Sequence, residues 1–438
     1  MPYADRYRYY LDLIPQDLFR YRESSKSMVL GFTSDFDVLI RWDTEVFNGL
    51  LERYLEDAPS AKEGEVIKTR NDFARIVSYY TINGLGGEVE ITNDDVCKCL
   101  EREFKTVPAL GGTCAQGAAA LGAMGFPVVA HITDRSEPVC ELMDYPGVST
   151  VLGGRLVPIM ASSSSEPPVR HMILQYSKGD EILIGGVKHV VPVSNRVILD
   201  FDKIHKIVPL DPDFMRYQES RAREIASYSI SGFNAIVDES ICERRMSELR
   251  SHLGRIKETH PGCVVYLEGA HYFTAGIKNA VFGGLSKYVD ILGMNEEELA
   301  SLADDLGMEM DKDDPCSVLL CLERVIAKYP VRGIVMHTKD YAMYYGERLD
   351  GVDLEKGLTL GNLMSATRAR TGAYGSQDDC RETLSVGLSR AGVEFADRLE
   401  RLQSPRHVRI VPSRYLEKPA CTIGLGDTFM AGMQVSFI

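Results

Sequence analysis

Two rhythms of apolar and polar positions run along this chain, and the change between them divides it. From His205 onward, stretches of helical period alternate with short apolar runs at Cys263–Leu267, Tyr288–Leu292 and Gly333–His337. Short buried runs between amphipathic helices predict a mostly parallel sheet with helices on both faces, an α/β fold. Between about residues 151 and 202 the rhythm shortens to β-like runs at His171–Tyr176, Glu181–Ile184, Val190–Val193 and Arg196–Asp200, separated by Gly, Pro, Ser and Asp turns. Upstream, Ser27–Ile40 reads as a buried strand entering a polar turn, and Val128–Ile132 as another short strand. Residues from about 41 to 108 are mixed and charged, with helical patches and one glycine-rich turn, Asn83–Glu88.

Composition narrows the classes. With 438 residues and 45% apolar content the chain buries a large core and exceeds one usual domain, so two structural units are expected. Its 49 basic and 63 acidic residues give a net charge of −14 with no long basic run, which argues against a nucleic-acid or anionic-membrane partner. A local anion site built from backbone amides remains compatible with that charge. The ten cysteines show no metal-like pairing, the N-terminus has no apolar signal core, and no run is long enough to span a bilayer. Reduced thiols and a cytoplasmic location are the expectation.

The densest chemistry lies in Thr422-Ile423-Gly424-Leu425-Gly426-Asp427-Thr428-Phe429. Two glycines around one residue, then an aspartate and an apolar run, read as a turn opening into a helix. Its first amides are unpaired donors at the positive end of the dipole and suit an anion. An aspartate there is placed to take a proton from a hydroxyl as a phosphoryl group arrives. The plain alternative is a helix start with an acidic first turn. Two further acidic sites follow apolar runs: Glu268 after Cys263–Leu267, and Asn295-Glu296-Glu297-Glu298 after Val289–Met294. Ligands of open parallel sheets gather at strand carboxyl ends, and separated acids near one phosphate chain suit magnesium. Asn295 with Glu298 three residues on is also a capping box, a purely local stabiliser. Gly111-Gly112 precede a small-residue helix, Thr113–Gly122, able to press its backbone against a sheet or ligand.

Taken in order, these segments resemble the ADP-dependent glucokinase and phosphofructokinase family, a branch of the ribokinase-like sugar kinases. Val289–Ala300 is similar to its Asn-x-x-Glu region, and Val265-Tyr266-Leu267-Glu268 to its acidic strand end, with Tyr266 a departure. Asn195–Asp202 resembles its arginine-bearing strand, Ile230–Asn234 its Ser-Gly turn, and Val411–Arg414 leads into Gly424–Asp427 as in family members. The likeness covers essentially the whole chain.

The resemblance implies a ribokinase-like large domain, residues 1–40, 109–150 and 203–438. A smaller β-rich lid would be formed by two insertions, 41–108 and 151–202. It implies transfer of the β-phosphoryl of ADP, a co-substrate, to a hexose hydroxyl, giving AMP, within carbohydrate metabolism and glycolysis. Asp427 would be the base, the Gly424–Asp427 amides (with Gly426) the anion hole, and Arg196 the cation reaching the transferring phosphate as the lid closes. Glu268, Asn295 and Glu298 would position magnesium (Mg2+), partly through water. Gly424, Leu425 and His337 would lie near the nucleotide. A histidine at a strand end is equally a structural residue, and Arg196 equally a surface ion-pair partner.

Sugar recognition would fall to Asp37 and Asp35, where relatives carry Asn-x-Asp; to Glu88, similar to the glutamate of glucose-using relatives; and to Gly111 and Gly112. These two resemble the Gly-Gly-Gln-Ala-Gly loop, with Thr113 in the glutamine's place. Asp35 adds a charge unfavourable beside a sugar phosphate, so glucose is favoured over fructose 6-phosphate, with Lys188 and Arg196 available to a phosphate. The alternatives are an ADP- or ATP-dependent kinase of another sugar or a nucleoside, and a catalytically silent sugar- or nucleotide-binding regulator. Only small-molecule partners and a monomer or weak oligomer are expected.

Overall fold

Apolar runs rich in Val, Ile and Leu with no alternation can be satisfied only where both faces of a strand are covered. A computed structural model describes residues 1–62, 64–272 and 274–438, and these runs lie in the middle of its largest sheet. The chain divides into two compact units. The first comprises Met1–Ser34, Gly112–Ser164 and His205–Ile438, the second Asp35–Gly111 and Ser165–Ile204.

Among the described residues, the larger unit carries a ten-stranded sheet. In spatial order its strands are His407–Pro412, Tyr341–Gly346, Gly333–His337, Ile291–Asn295, Val264–Glu268, Ile225–Ile230, Ser27–Gly31, Val128–Ala130, Val148–Leu152 and Arg155–Pro158. The strands from Gly333–His337 to Val148–Leu152 are parallel, and antiparallel strands close both edges. Residues such as Val265, Leu267, Leu292 and Ile334 are fully buried between the sheet and its helices. No helix among the described residues is long and apolar enough to cross a membrane.

The smaller unit holds a five-stranded sheet in the order Gly87–Glu90, Asn195–Phe201, Arg170–Tyr176, Asp35–Arg41 and Lys105–Gly111, and a separate hairpin. Its helices Thr44–Tyr54, Arg70–Asn83 and Asp94–Glu103 share a core with Val38, Ile40, Met172, Leu174, Val197 and Leu199. Side chains alternate across a strand. Asp35, Asp37, His171, Arg196, Asp200 and Glu88 are therefore sent to the face opposite those helices.

Several sequence expectations change here. Ser27–Ile40 is two strands in two different sheets, because the polar residues Thr33 and Ser34 interrupt it; Asp35 and Asp37 belong to the second. The segment expected to begin the smaller domain at 151 instead completes the hairpin Val148–Leu152/Arg155–Pro158 on the edge of the larger sheet. The positive φ of Gly153 and Gly154 makes that tight turn possible. The strand expected at Val190–Val193 is Val187–Val190. It pairs with Glu181–Ile184 across a Gly185-Gly186 turn whose residues both have positive φ. Tyr288–Leu292 is displaced to Ile291–Asn295, because the Tyr288 and Val289 amides are spent on a turn to Leu285.

The C-terminal helix Leu425–Gln434 is short, so packing must hold it. Glycines bring its neighbours against it. A Cβ at Gly361, in the helix Leu354–Thr371, would lie 2.8 Å from the Phe429 carbonyl oxygen, and one at Gly432 would lie 2.5 Å from the Gly361 nitrogen. On its other side, Gly117 of the helix Thr113–Ala123 leaves room for the Met430 methyl. Replacing Gly432 with valine is expected to lower unfolding stability by about 1–3 kcal/mol through overpacking. Urea denaturation reads this directly; unchanged stability would mean the helices are not in close backbone approach.

Candidate active site

Three adjacent parallel strands of the larger unit end in polar side chains. Val264–Glu268 ends on Glu268, Ile291–Asn295 on Asn295 and Gly333–His337 on His337, with Glu268 opposite Gly293 and Asn295 opposite His337. Glycine at 293 is required, because a Cβ there would collide with Glu268 Oε2 and the Tyr266 hydroxyl. Glu268 Oε1 meets His337 Nε2 at 2.8 Å. Its second oxygen, Oε2, is buried beside Tyr266 without a well-formed hydrogen bond.

Asn295 and Glu298 form the capping box in full. Asn295 Oδ1 accepts from the Glu297 and Glu298 amides at 2.9 Å, and Glu298 Oε2 accepts from the Asn295 amide at 3.0 Å. Burial, and then the nearby Glu268 carboxylate, push the Glu298 carboxyl up to about 7. A buried acid with an unsatisfied oxygen, Glu268, near the half-buried Glu298 suits a divalent cation by donor chemistry.

Asp427 lies in the first turn of the C-terminal helix. Gly424 caps that helix with φ of 70°, a left-handed conformation that favours glycine. No side chain caps the helix start, so its first amides stay available to an anion. A Cβ at Gly424 would strike Gln116 Oε1, and one at Gly426 would lie 3.1 Å from the His337 ring. That ring is also packed on Phe429, 4.8 Å between centroids. His337 is thus tied to Glu268 on one side and to the glycine turn on the other. The Asp427 carboxyl is pushed up to about 6, first by burial and then by Glu268; the Thr113 hydroxyl, Arg368 and His337 act in the opposite sense.

Three residues at this site escaped sequence reasoning. Gln116 Nε2 donates to Asp427 Oδ2 at 2.7 Å. Gln116 Oε1 accepts from Arg368 Nη2 at 3.2 Å and from the Tyr374 hydroxyl at 3.1 Å. Arg368 also donates through Nε to the Ile423 carbonyl at 2.9 Å and lies 4.2 Å over the Tyr374 ring. The available signal was one amide among alanines and glycines in the small-residue helix, and an arginine, Arg368, one of two in the last turn of the helix Leu354–Thr371.

The smaller unit gathers a second polar set. His171 Nδ1 lies 3.2 Å from Asp35 and 3.7 Å from Asp37, and Nε2 lies 3.0 Å from Asp202. Burial opposes protonation of His171, but Asp35 and Asp202 together raise its pKa well above the ordinary value. The charge that Asp35 brings is therefore met by an imidazolium. Burial, with Glu88, Asp202 and Asp35 adding repulsion, raises Asp200 to about 7. A Cβ at Gly111 would crowd the Asp35 and Asp37 carboxylates. In the larger unit, Gly112 holds φ of 85° against the Thr33 carbonyl. Glu88 and Arg196 are exposed, and Arg196 has no ion pair among the described residues. Lys188 is paired with Glu181 at 2.5 Å on the hairpin.

The family model described as the ADP-specific phosphofructokinase/glucokinase conserved region matches residues 26–436. An ADP-dependent glucose/glucosamine kinase of Pyrococcus abyssi is 24% identical over 94% of each chain. An ADP-specific phosphofructokinase of Thermococcus kodakarensis is 22% identical over 94% of this chain and 95% of its own. Among solved structures, the last common ancestor of ADP-dependent phosphofructokinases from Methanosarcinales superposes with a TM-score of 0.80 at 22% identity, covering 99% of this chain and 97% of that one. An ADP-dependent kinase complex with fructose-6-phosphate and ADPβS superposes with a TM-score of 0.74 at 20% identity, covering 99% and 97%. With a glycine turn, a helix-start aspartate and polar strand ends in the larger unit, the chain belongs to the ADP-specific phosphofructokinase/glucokinase family.

Proposed function

We propose that this protein transfers the β-phosphoryl group of ADP to a hydroxyl of a hexose, releasing AMP. The observation that carries the reading is Asp427, a carboxylate beside uncapped helix amides in a chain that matches this family along nearly its whole length. The sugar oxygen attacks the β-phosphorus, the bond from that phosphorus to the bridging oxygen breaks, and the hydroxyl proton goes to Asp427. The amides from Gly424 to Asp427, at the positive end of the helix, stabilise charge on the transferring group. Glu268, with Asn295 and Glu298, would hold magnesium. That ion, when bound, offsets the charge of the phosphate oxygens. Arg196 is the proposed cation at the transferred phosphate, and Gly424, Leu425 and His337 the proposed neighbours of the nucleotide.

On the smaller unit, Asp35 and Asp37 are the proposed acceptors of sugar hydroxyls, with Glu88 and the Gly111 backbone beside them. Carboxyl groups outnumber cations on this sheet face, where Asp35, Asp37, Glu88, Glu90, Asp200 and Asp202 stand with Arg41, Lys105, His171 and Arg196. A neutral hexose suits that balance better than a phosphorylated one. We therefore favour glucose over fructose 6-phosphate as acceptor.

The acceptor is tested by product formation from each sugar with magnesium and either ADP or ATP. Greater kcat/KM for glucose with ADP is expected, and preferential use of fructose 6-phosphate would overturn the electrostatic argument. Asp427→Asn is expected to lower turnover by a factor on the order of hundreds or more, since a positioned base contributes about that much; unchanged turnover would remove Asp427 from the base role. The base works only when ionised, and its carboxyl titrates near about 6. Activity should therefore be full above neutrality and fall as pH drops through 6, by about tenfold per unit below it. A flat kcat/KM profile between pH 5 and 8 would contradict this assignment.

A further inference from the structure

Gln116 is a buried amide on a helix of small residues, yet both of its polar ends are committed. The direction of the amide is decided by its partners. The guanidinium of Arg368 is donor-only, and it faces Oε1 together with the Tyr374 hydroxyl. The amide nitrogen must then face Asp427, to whose Oδ2 it donates at 2.7 Å. A flipped amide would set two donors against a guanidinium and an acceptor against a carboxylate.

Arg368 does a second thing. Its Nε holds the Ile423 carbonyl, one residue before Gly424, so one guanidinium fixes both Gln116 and the entry to the glycine turn. Tyr374, under the guanidinium plane, closes the set. Base and proposed anion hole are thereby referred to the same cation.

We infer that Gln116 is a positioning residue for the base, held by Arg368 and Tyr374 so that its amide donates to Asp427 and keeps that carboxylate ionised and aimed. A hydrogen bond to the charged form favours that form. It works here against burial, Glu268 and Glu298, which push the other way, and alongside Thr113, Arg368 and His337. The inference rests on the phosphoryl-transfer reading only for its effect on turnover. The effect on Asp427 itself stands without it.

Gln116→Leu removes the donor at nearly constant volume, and Gln116→Glu replaces it with an acid that Arg368 can still grip. Both are expected to lower kcat about tenfold or more with little change in KM. Both should also move the acidic limb of kcat/KM upward by about one pH unit, while Tyr374→Phe moves it less. A merely structural residue would lower the melting temperature and leave that limb where it is. The Asp427 carboxyl is also followed by carbon-13 NMR of labelled aspartates in the folded full chain, the resonance being the one lost in Asp427→Asn. An upward shift in its titration in both Gln116 variants supports the inference even if the wild type turns over neither hexose, an outcome that would count against the proposed function alone. Unshifted titration in folded Gln116→Leu overturns the inference, whatever the turnover.

Discussion

A carboxylate in the first turn of a helix is ordinarily easy to keep ionised, and Asp427 is not. The helix dipole is worth about 0.3–1 kcal/mol there, less than one pKa unit at about 1.4 kcal/mol per unit. Burial and the Glu268 carboxylate outweigh it and bring the Asp427 carboxyl to about 6. That balance is useful to a base, whose best pKa lies near the operating pH. It also leaves the group dependent on its neighbours, of which Gln116 is the directly bonded one at Oδ2.

Much of the larger unit's packing serves to put that one carboxyl in place. Gly361 and Gly432 let two helices meet backbone to backbone, and Gly117 admits the methyl of Met430 on the other side. Gly424 and Gly426 remove the Cβ atoms that would strike Gln116 and approach His337. Gly293 does the same for Glu268 and Tyr266. The polar site is therefore surrounded by places where side chains were left out. A methyl added at one of these positions is expected to disturb function before fold where it touches Gln116, and fold before function where it touches Gly361.

How much of this could be read from the chain depended on whether the signal was local. The strands ending at Glu268 and His337 were legible because a run of Val, Ile and Leu must be buried on both faces, and a polar residue marks its end. The turn at Gly424–Asp427 was legible because its glycines and aspartate are contiguous. The capping box of Asn295 and Glu298 was readable at three-residue spacing and forms as expected. The division at residues 34 and 35 was not legible, because the short polar stretch Thr33-Ser34 between equally apolar runs does not by itself reveal a change of sheet. Gln116, Arg368 and Tyr374 were missed because they lie more than 250 residues apart at the extreme and meet only through tertiary packing. His171 was missed because nothing near it in the chain announces Asp35.

In the proposed function, Asp427 and the amides beside it carry phosphoryl transfer from ADP to a sugar hydroxyl. Phosphorus-31 NMR of a mixture of the protein, magnesium, ADP and glucose tests it most directly. AMP and a sugar phosphate should grow together in equal amounts, and neither should appear at a comparable rate with Asp427→Asn. Growth of orthophosphate in place of sugar phosphate, or equal product from the variant, would contradict it.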